Sequence, residues 1–314
     1  IGQKRLLNAL AATGHEVFAF AVMNRGDPPR TADPEDLIAA VDRAAPDVVL
    51  VGNIHGTNLP PDFIEKLAQR RPTALVLHDM WHLTGRCAYT GGCTKYLTGC
   101  DASCPTPEIY PPLAPKEIAG AWRGKYRAFA GPRRAVLLAN SQWMADQAEA
   151  GLTARRESGE LADTPYTVPT VRYGVELDVF APADQGACRR ALQLPENGFL
   201  VLASASGGDD PRKGLPLLVA ALAKLSLPDV VLVCLGYLND GLQTGNLNVR
   251  MLGYVGEPRQ LAQAYAAADV FVGPSLEEAF GQVFTEAAAC GTPSIGFPVG
   301  GIPEAVIDGV NGLV

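Results

Sequence analysis

Short, wholly apolar runs alternate with amphipathic stretches along almost the whole chain, and this alternation constrains the fold more than any other feature. Runs at 17–22, 47–51, 73–77, 135–139, 170–173, 199–203, 230–235, 249–252 and 270–272 read as buried strands. Stretches at 2–14, 36–45, 61–70 and 282–290, and others starting at 142, 212 and 258, read as helices. In the first of these, Leu6, Leu7, Leu10 and Ala11 share one side. Strands that are apolar throughout need helices over both faces, so the predicted class is α/β with parallel β/α units. Such sheets bind ligands at the carboxyl ends of their strands, and polar residues found there become the candidates for function.

At 314 residues the chain is long enough for two domains, each with its own core. With 47% hydrophobic and 19% charged residues it reads as an ordinary soluble protein. A net charge of −7 argues against nucleic acid as a partner. No run of eighteen apolar residues is present, so no transmembrane helix is expected, and no signal peptide is seen. Seven cysteines, four of them clustered, do not make a secreted disulfide scaffold at this size. The expected location is cytoplasmic.

The densest chemical signal follows the run at 270–272. Ser275 to Pro293 reads SLEEAFGQVFTEAAACGTP, a turn leading into a helix that ends at Gly291. Glu278 and Glu286 flank seven residues. If that interval were all helix, they would lie roughly 12 Å apart at about 1.5 Å per residue. A hydrolytic carboxylate pair needs about 5 to 9.5 Å, so this pair is better suited to the two ends of a long ligand. Between them Phe280, Gly281 and Gln282 open a helix whose amides attract anions. A sugar, a diphosphate and a ribose laid end to end fit that order. Two solvated glutamates on a strand-turn-helix fit the spacing equally well. Upstream, Arg212-Lys213-Gly214 follows a buried strand and opens a helix, a suitable clamp for a diphosphate or else an exposed basic pair.

In the first half, Asn53 and His55 follow one strand, and His78, Asp79, Met80 and Trp81 follow the next. His78 is either a functional group or a hydrogen-bonded strand-end histidine. His55, His82 and Trp81 carry weaker signals of the same kind. A cysteine-rich loop comes next, with gaps of five, six and three residues between Cys87, Cys93, Cys100 and Cys104. Only the last gap matches the usual zinc spacing of about two to four, so a structural zinc site and packed, reduced thiols both remain open. Residues 116–134 carry Lys116, Arg123, Lys125, Arg127, Arg133 and Arg134 with Trp122, Tyr126 and Phe129 interleaved. Such a helix either lies on an anionic membrane surface or packs its aromatics inward.

EAFGQVFTE, followed by GTPSIGFPVGGIPEAVIDGVNGLV, resembles the E-x7-E signature and continuation of family 4 retaining glycosyltransferases. NIHG, LHDMWHLTGRCAY and TGCDASCP are similar to a subgroup that includes colanic-acid-type exopolysaccharide enzymes. The resemblance implies the GT-B fold, with two Rossmann-like doubly wound domains facing across a cleft. The implied division is an acceptor-side domain at 1–173 and a nucleotide-sugar domain at 174–314. It also implies that the family's first strand and last helix are absent from the chain. The implied reaction moves a sugar, with retention and without a catalytic metal, from a nucleotide-diphosphate sugar to a saccharide acceptor that can be lipid-linked. Peripheral contact with the inner membrane face would follow from such an acceptor. Glu286 would hold the ribose, Glu278 the donor sugar, Lys213 and Arg212 the phosphates, and Tyr254 and Val255 the base. The glycines at 300 and 301 would close this site. His78 would act near the sugar, with His55, Asp79 and Trp81 on the acceptor side. One departure stands out: the family's usual phosphate arginine falls at Gly208, and Arg212 would replace it. Two rival readings are a sugar-nucleotide epimerase of the same fold, which needs no acceptor, and a non-catalytic homologue that binds nucleotide-sugar or glycan.

Overall fold

The computed structural model describes every residue except 1, 20–32, 56, 58, 131–133, 162–165, 206–209, 226–228 and 239–240, and the backbone alone for 2–4 and 205. The chain divides into two compact units, Ile1–Tyr173 and Gly174–Val314.

The first unit holds helices α1 Gly2–Ala12, α2 Pro34–Ala44, α3 Phe63–Arg70, α4 Lys95–Thr98, α5 Pro115–Arg127 and α6 Gln142–Glu157. Its strands β1 Val49–Val51, β2 Thr73–Leu77 and β3 Val136–Ala139 pair in parallel in that order. Of the run at 17–22, residues 20–22 lie outside the described residues and 17–19 are not in a strand. The strand expected at 170–173 is one parallel bridge, Thr170 with Ala139. Helix starts follow the expected capping chemistry. Ser141 accepts a hydrogen bond from the Met144 amide at 3.0 Å, and Asp33 accepts from Glu35 at 2.7 Å. In α5 the aromatic alternative that holds is inward packing. Trp122, Tyr126 and Phe129 are buried, and Arg155 of α6 lies over the Trp122 and Tyr126 rings. Those rings therefore offer no face to a membrane surface.

The second unit holds α7 Gln185–Ala191, α8 Leu215–Leu225, α9 Pro258–Ala267, α10 Gln282–Ala289 and α11 Ile302–Ala305. Its strands are β4 Phe199–Ala205, β5 Val230–Gly236, β6 Asn248–Gly253, β7 Val270–Gly273, β8 Ser294–Gly296 and β9 Gly312–Leu313. All pair in parallel, in the order β6-β5-β4-β7-β8-β9. Counted from β4 this is the 3-2-1-4-5-6 order of a doubly wound dinucleotide-binding sheet. Period-two alternation splits the core between the two faces. Leu200 and Leu202 of β4 join Tyr265, Phe271 and Phe284 on one side, while Val201 and Ala203 join Leu218 and Leu222 of α8 on the other. The 282–290 helix is met by α10, whereas the helix expected to open at 212 starts at Leu215, after a 3₁₀ turn over Pro211–Lys213. Among the described residues no helix is long and apolar enough to cross a membrane.

Candidate functional site

In the second unit the chain leaves β4 and β7, which are paired neighbours, in opposite directions across the sheet order, and their two following loops meet. Asp210 caps the turn after β4 by accepting from the Arg212 amide at 3.0 Å. The Arg212 carbonyl accepts from the Leu276 amide at 2.6 Å, joining this turn to the loop after β7. Gly214 has φ +63°, and a Cβ there would sit 1.9 Å from the Pro274 carbonyl oxygen, so only glycine permits the approach. On these two loops Lys213 Nζ donates to Glu278 Oε2 at 2.8 Å. Arg212 Nη2 pairs with Asp210 Oδ2 at 2.5 Å. The glycines at 300 and 301 approach the Glu278 backbone: its carbonyl accepts from the Gly301 amide at 3.0 Å, and a Cβ on Gly300 would lie 1.8 Å from that oxygen. Gly208 lies outside the described residues.

Glu286 sits inside α10 and is only 3% exposed. Its Oε2 accepts from the Tyr265 hydroxyl at 3.0 Å. Tyr265 was missed in the sequence because a tyrosine on the apolar face of α9 reads as core, which it also is. Phe280 is buried, and Gln282 Nε2 reaches the Gly174 carbonyl at 3.4 Å. Gly281 brings no capping side chain to the start of α10. Tyr254 is 73% exposed beyond β6, while Val255 packs against the core. Tyr237 beyond β5, also missed, is exposed, and its hydroxyl lies against Gly253.

The first unit builds a separate polar cluster at the ends of β1 and β2. Asp79 is buried and accepts from Asn53 Nδ2 at 2.8 Å, His55 Nε2 at 3.1 Å and the Trp81 amide at 2.9 Å. Burial alone would raise the Asp79 carboxyl, but the His55 ring and the Trp81 amide outweigh it and hold the pKa below the usual value. His55 Nδ1 meets the Tyr110 hydroxyl at 3.3 Å, and its ring leans on Trp81. Lys125 is 4% exposed, donates to the Trp81 carbonyl at 2.6 Å and lies over the Trp81 ring. Burial pushes its pKa down to about 7. His82 is a core histidine, pushed to about 3 by burial and by Lys125.

His78 stacks on Tyr173, and its Nδ1 meets the Tyr173 hydroxyl. Asn140 Nδ2 donates to that same hydroxyl oxygen at 3.3 Å. His78 Nε2 is buried and has no hydrogen-bond partner among the described residues. Burial pushes the His78 pKa down to about 4, so the ring is neutral at neutral pH. Both tyrosines of this region, Tyr110 and Tyr173, come from distant segments that no local pattern could flag.

The zinc reading of Cys87, Cys93, Cys100 and Cys104 is corrected. Among the described residues no three His, Cys, Asp or Glu side chains converge to hold a metal ion, and all four thiols are free. As free thiols, Cys87 is raised by burial and Cys100 is pushed up to about 11. The loop is held instead by Arg86, which donates to the carbonyls of Ile109 and Pro111 and to Thr106 Oγ1.

Residues 198–314 match the family of glycosyl transferases group 1. A D-inositol 3-phosphate glycosyltransferase of Streptosporangium roseum is 37% identical over 180 residues, which is 50% of this chain and 41% of that protein. Its counterpart in Actinosynnema mirum is 40% identical over 196 residues, covering 57% and 44%. The chain thus spans less than half the length of these curated relatives. Among solved structures, a glycosyltransferase from Rickettsia africae is similar with TM-score 0.63 at 14% identity, covering 99% of this chain and 79% of that one. Anabaena Alr3699/HepE, solved with UDP and glucose, is similar with TM-score 0.56 at 23% identity, covering 88% and 67%. WaaG, a glycosyltransferase involved in lipopolysaccharide biosynthesis, is similar with TM-score 0.57 at 17% identity, covering 100% and 81%. These likenesses show an α/β fold with parallel sheets whose structural neighbours are GT-B glycosyltransferases.

Proposed function

We propose that this chain, whose residues 198–314 match the group 1 glycosyltransferases, transfers a sugar from a nucleotide-diphosphate donor to a saccharide hydroxyl with retention of configuration. The acceptor is an oligosaccharide, lipid-linked in the fullest form of the proposal, in exopolysaccharide or cell-envelope synthesis. The observation that carries the reading is the meeting of Lys213 and Glu278 on the loops after β4 and β7. In a sheet of this strand order, that is the switch point where ligands bind.

In this reading Lys213, Arg212 and the first amides of α10 take the diphosphate. Charge builds on the leaving phosphate as its bond to the sugar C1 breaks, and fixed donors there stabilise the transition state more than the ground state. The acceptor oxygen bonds to C1, and its proton passes to the departing phosphate oxygen. Glu278 receives sugar hydroxyls. Glu286, oriented by Tyr265, receives the ribose, and Tyr254 with Tyr237 offers ring faces to the base. In the first unit, neutral His78 offers its unpartnered Nε2 to a sugar hydroxyl. The Asp79–His55–Trp81 cluster combines planar polar groups with an aromatic face, which is the chemistry that recognises a saccharide.

Calorimetry with UDP-, GDP- and dTDP-sugars tests the donor site. Micromolar binding of one nucleotide, weakened at least about tenfold by Glu286→Ala, is the expected outcome, on the scale of about 1.4 kcal/mol. If no nucleotide sugar binds, the carboxylate pair is scaffold and the transferase reading is abandoned. Donor binding with release of an altered sugar nucleotide in the absence of acceptor would identify an epimerase instead.

A further inference from the structure

Both cations assigned to the donor phosphates are held by carboxylates: Lys213 by Glu278 and Arg212 by Asp210. The first pair matters more, because its carboxylate is itself assigned to the donor. The contact does not arise from two loose side chains finding each other. The backbone roots of the two loops are joined by the bond between the Leu276 amide and the Arg212 carbonyl, and by the close approach of Gly214 to Pro274. The Glu278 root is fixed again by the Gly301 amide. Only the two side-chain ends are free to exchange, and their exposures of 35% for Lys213 and 16% for Glu278 allow a ligand to reach them.

We propose that Glu278 is an internal competitor for the donor diphosphate, standing on Lys213 as a surrogate phosphate and leaving it only when a sugar is present to receive the carboxylate. The inference rests on the donor-site reading above. A diphosphate that takes Lys213 strips Glu278 of its ammonium and leaves two anions side by side. A nucleotide sugar relieves this, because its hydroxyls donate to the displaced carboxylate. A nucleoside diphosphate brings no such donors. The site therefore discriminates against its own product: once the sugar has been transferred, Glu278 loses its hydroxyl partners, returns to Lys213 and expels the nucleoside diphosphate. Glu278 thus sets specificity for the sugar-bearing form as well as contacting the sugar.

The test is calorimetric, with UDP and UDP-glucose as probes, and with the GDP and dTDP pairs alongside so that the base does not decide the result. Wild type, Glu278→Gln, Lys213→Ala and the double variant are compared. Glutamine keeps the shape and removes the charge, and far-ultraviolet circular dichroism checks that each variant is folded. An exposed ion pair contributes up to about 1 kcal/mol, and at about 1.4 kcal/mol per tenfold its loss corresponds to about fivefold in affinity. Glu278→Gln should bind the nucleoside diphosphate about fivefold more tightly than wild type. It should gain less, or lose, toward the nucleotide sugar, so that the preference for the sugar-bearing form falls, and by more than about fivefold where affinity for the nucleotide sugar drops. In the Lys213→Ala background the substitution should no longer tighten nucleoside diphosphate. If wild type binds a nucleotide but Glu278→Gln binds the diphosphate no more tightly, the competitor role is overturned while the donor site stands. If wild type binds none of the nucleotides, the donor site and the competitor role fall together.

Discussion

At the scale of single residues, burial decides the chemistry of the histidines. His78 and His82 are pushed to about 4 and about 3, against an ordinary value of 6.5, chiefly because the interior disfavours the imidazolium. Below pH 6.5 the unfolded chain takes up protons at these positions and the folded chain does not. Protonation therefore favours unfolding, and stability present above pH 6.5 is lost as pH falls toward 4. Each histidine should contribute a slope approaching about 1.36 kcal/mol per pH unit within that window. Urea midpoints at pH 7, 6 and 5 check this, and a midpoint that stays constant would mean that both rings titrate normally. The sequence places His78 at a strand end, and the structure keeps it there. Its hydrogen-bond partners are Tyr173 and Asn140, which lie 95 and 62 residues away along the chain. Lys125 makes the same point in reverse. It reads as one cation of a basic surface helix, yet the fold buries it against Trp81.

At the scale of elements, the junction between the turn at Pro211–Lys213 and the loop after β7 depends on Gly214. An alanine there would adopt a left-handed backbone and also drive its Cβ to 1.9 Å from the Pro274 oxygen. At Gly159, by contrast, φ is +78° but a Cβ would meet nothing within 4 Å. Gly159→Ala should cost only the left-handed conformation, about 1 to 2 kcal/mol. Gly214→Ala should cost clearly more and should separate Lys213 from Glu278. Calorimetric melting of the two variants side by side tests the difference, and equal shifts in Tm would contradict the close-approach argument. Element type was legible throughout most of the chain, because a buried parallel strand must be apolar on both faces and a helix must be apolar along one stripe. The strand read at 170–173 was an exception. Its composition suits a strand, but pairing stops after the single bridge between Thr170 and Ala139. Composition records burial, whereas a ladder needs a neighbour.

At the scale of the whole molecule, the second unit carries a sheet and cores of its own. Among the described residues, six parallel strands and two apolar cores, one on each face of the sheet, lie within Gly174–Val314. That segment expressed alone should fold and unfold cooperatively by circular dichroism; broad, gradual melting would show that it depends on the first unit. The sequence by itself determined the α/β class, most of the strands, the longer helices and the residue types gathered near the strand ends, because all of these follow from local periodicity and composition. It named Lys213, Glu278 and Glu286 for one donor, but not the contact between Lys213 and Glu278. Only the tertiary structure decided that Lys213 and Glu278 touch across 65 residues of chain. It decided likewise that Tyr265 orients Glu286, and that the four clustered cysteines are free thiols, with no three metal-binding side chains converging among the described residues. The physical reason is strand order. The β4 strand pairs with β7 rather than with the next strands alone, and nothing in the local pattern of a parallel strand identifies its neighbour.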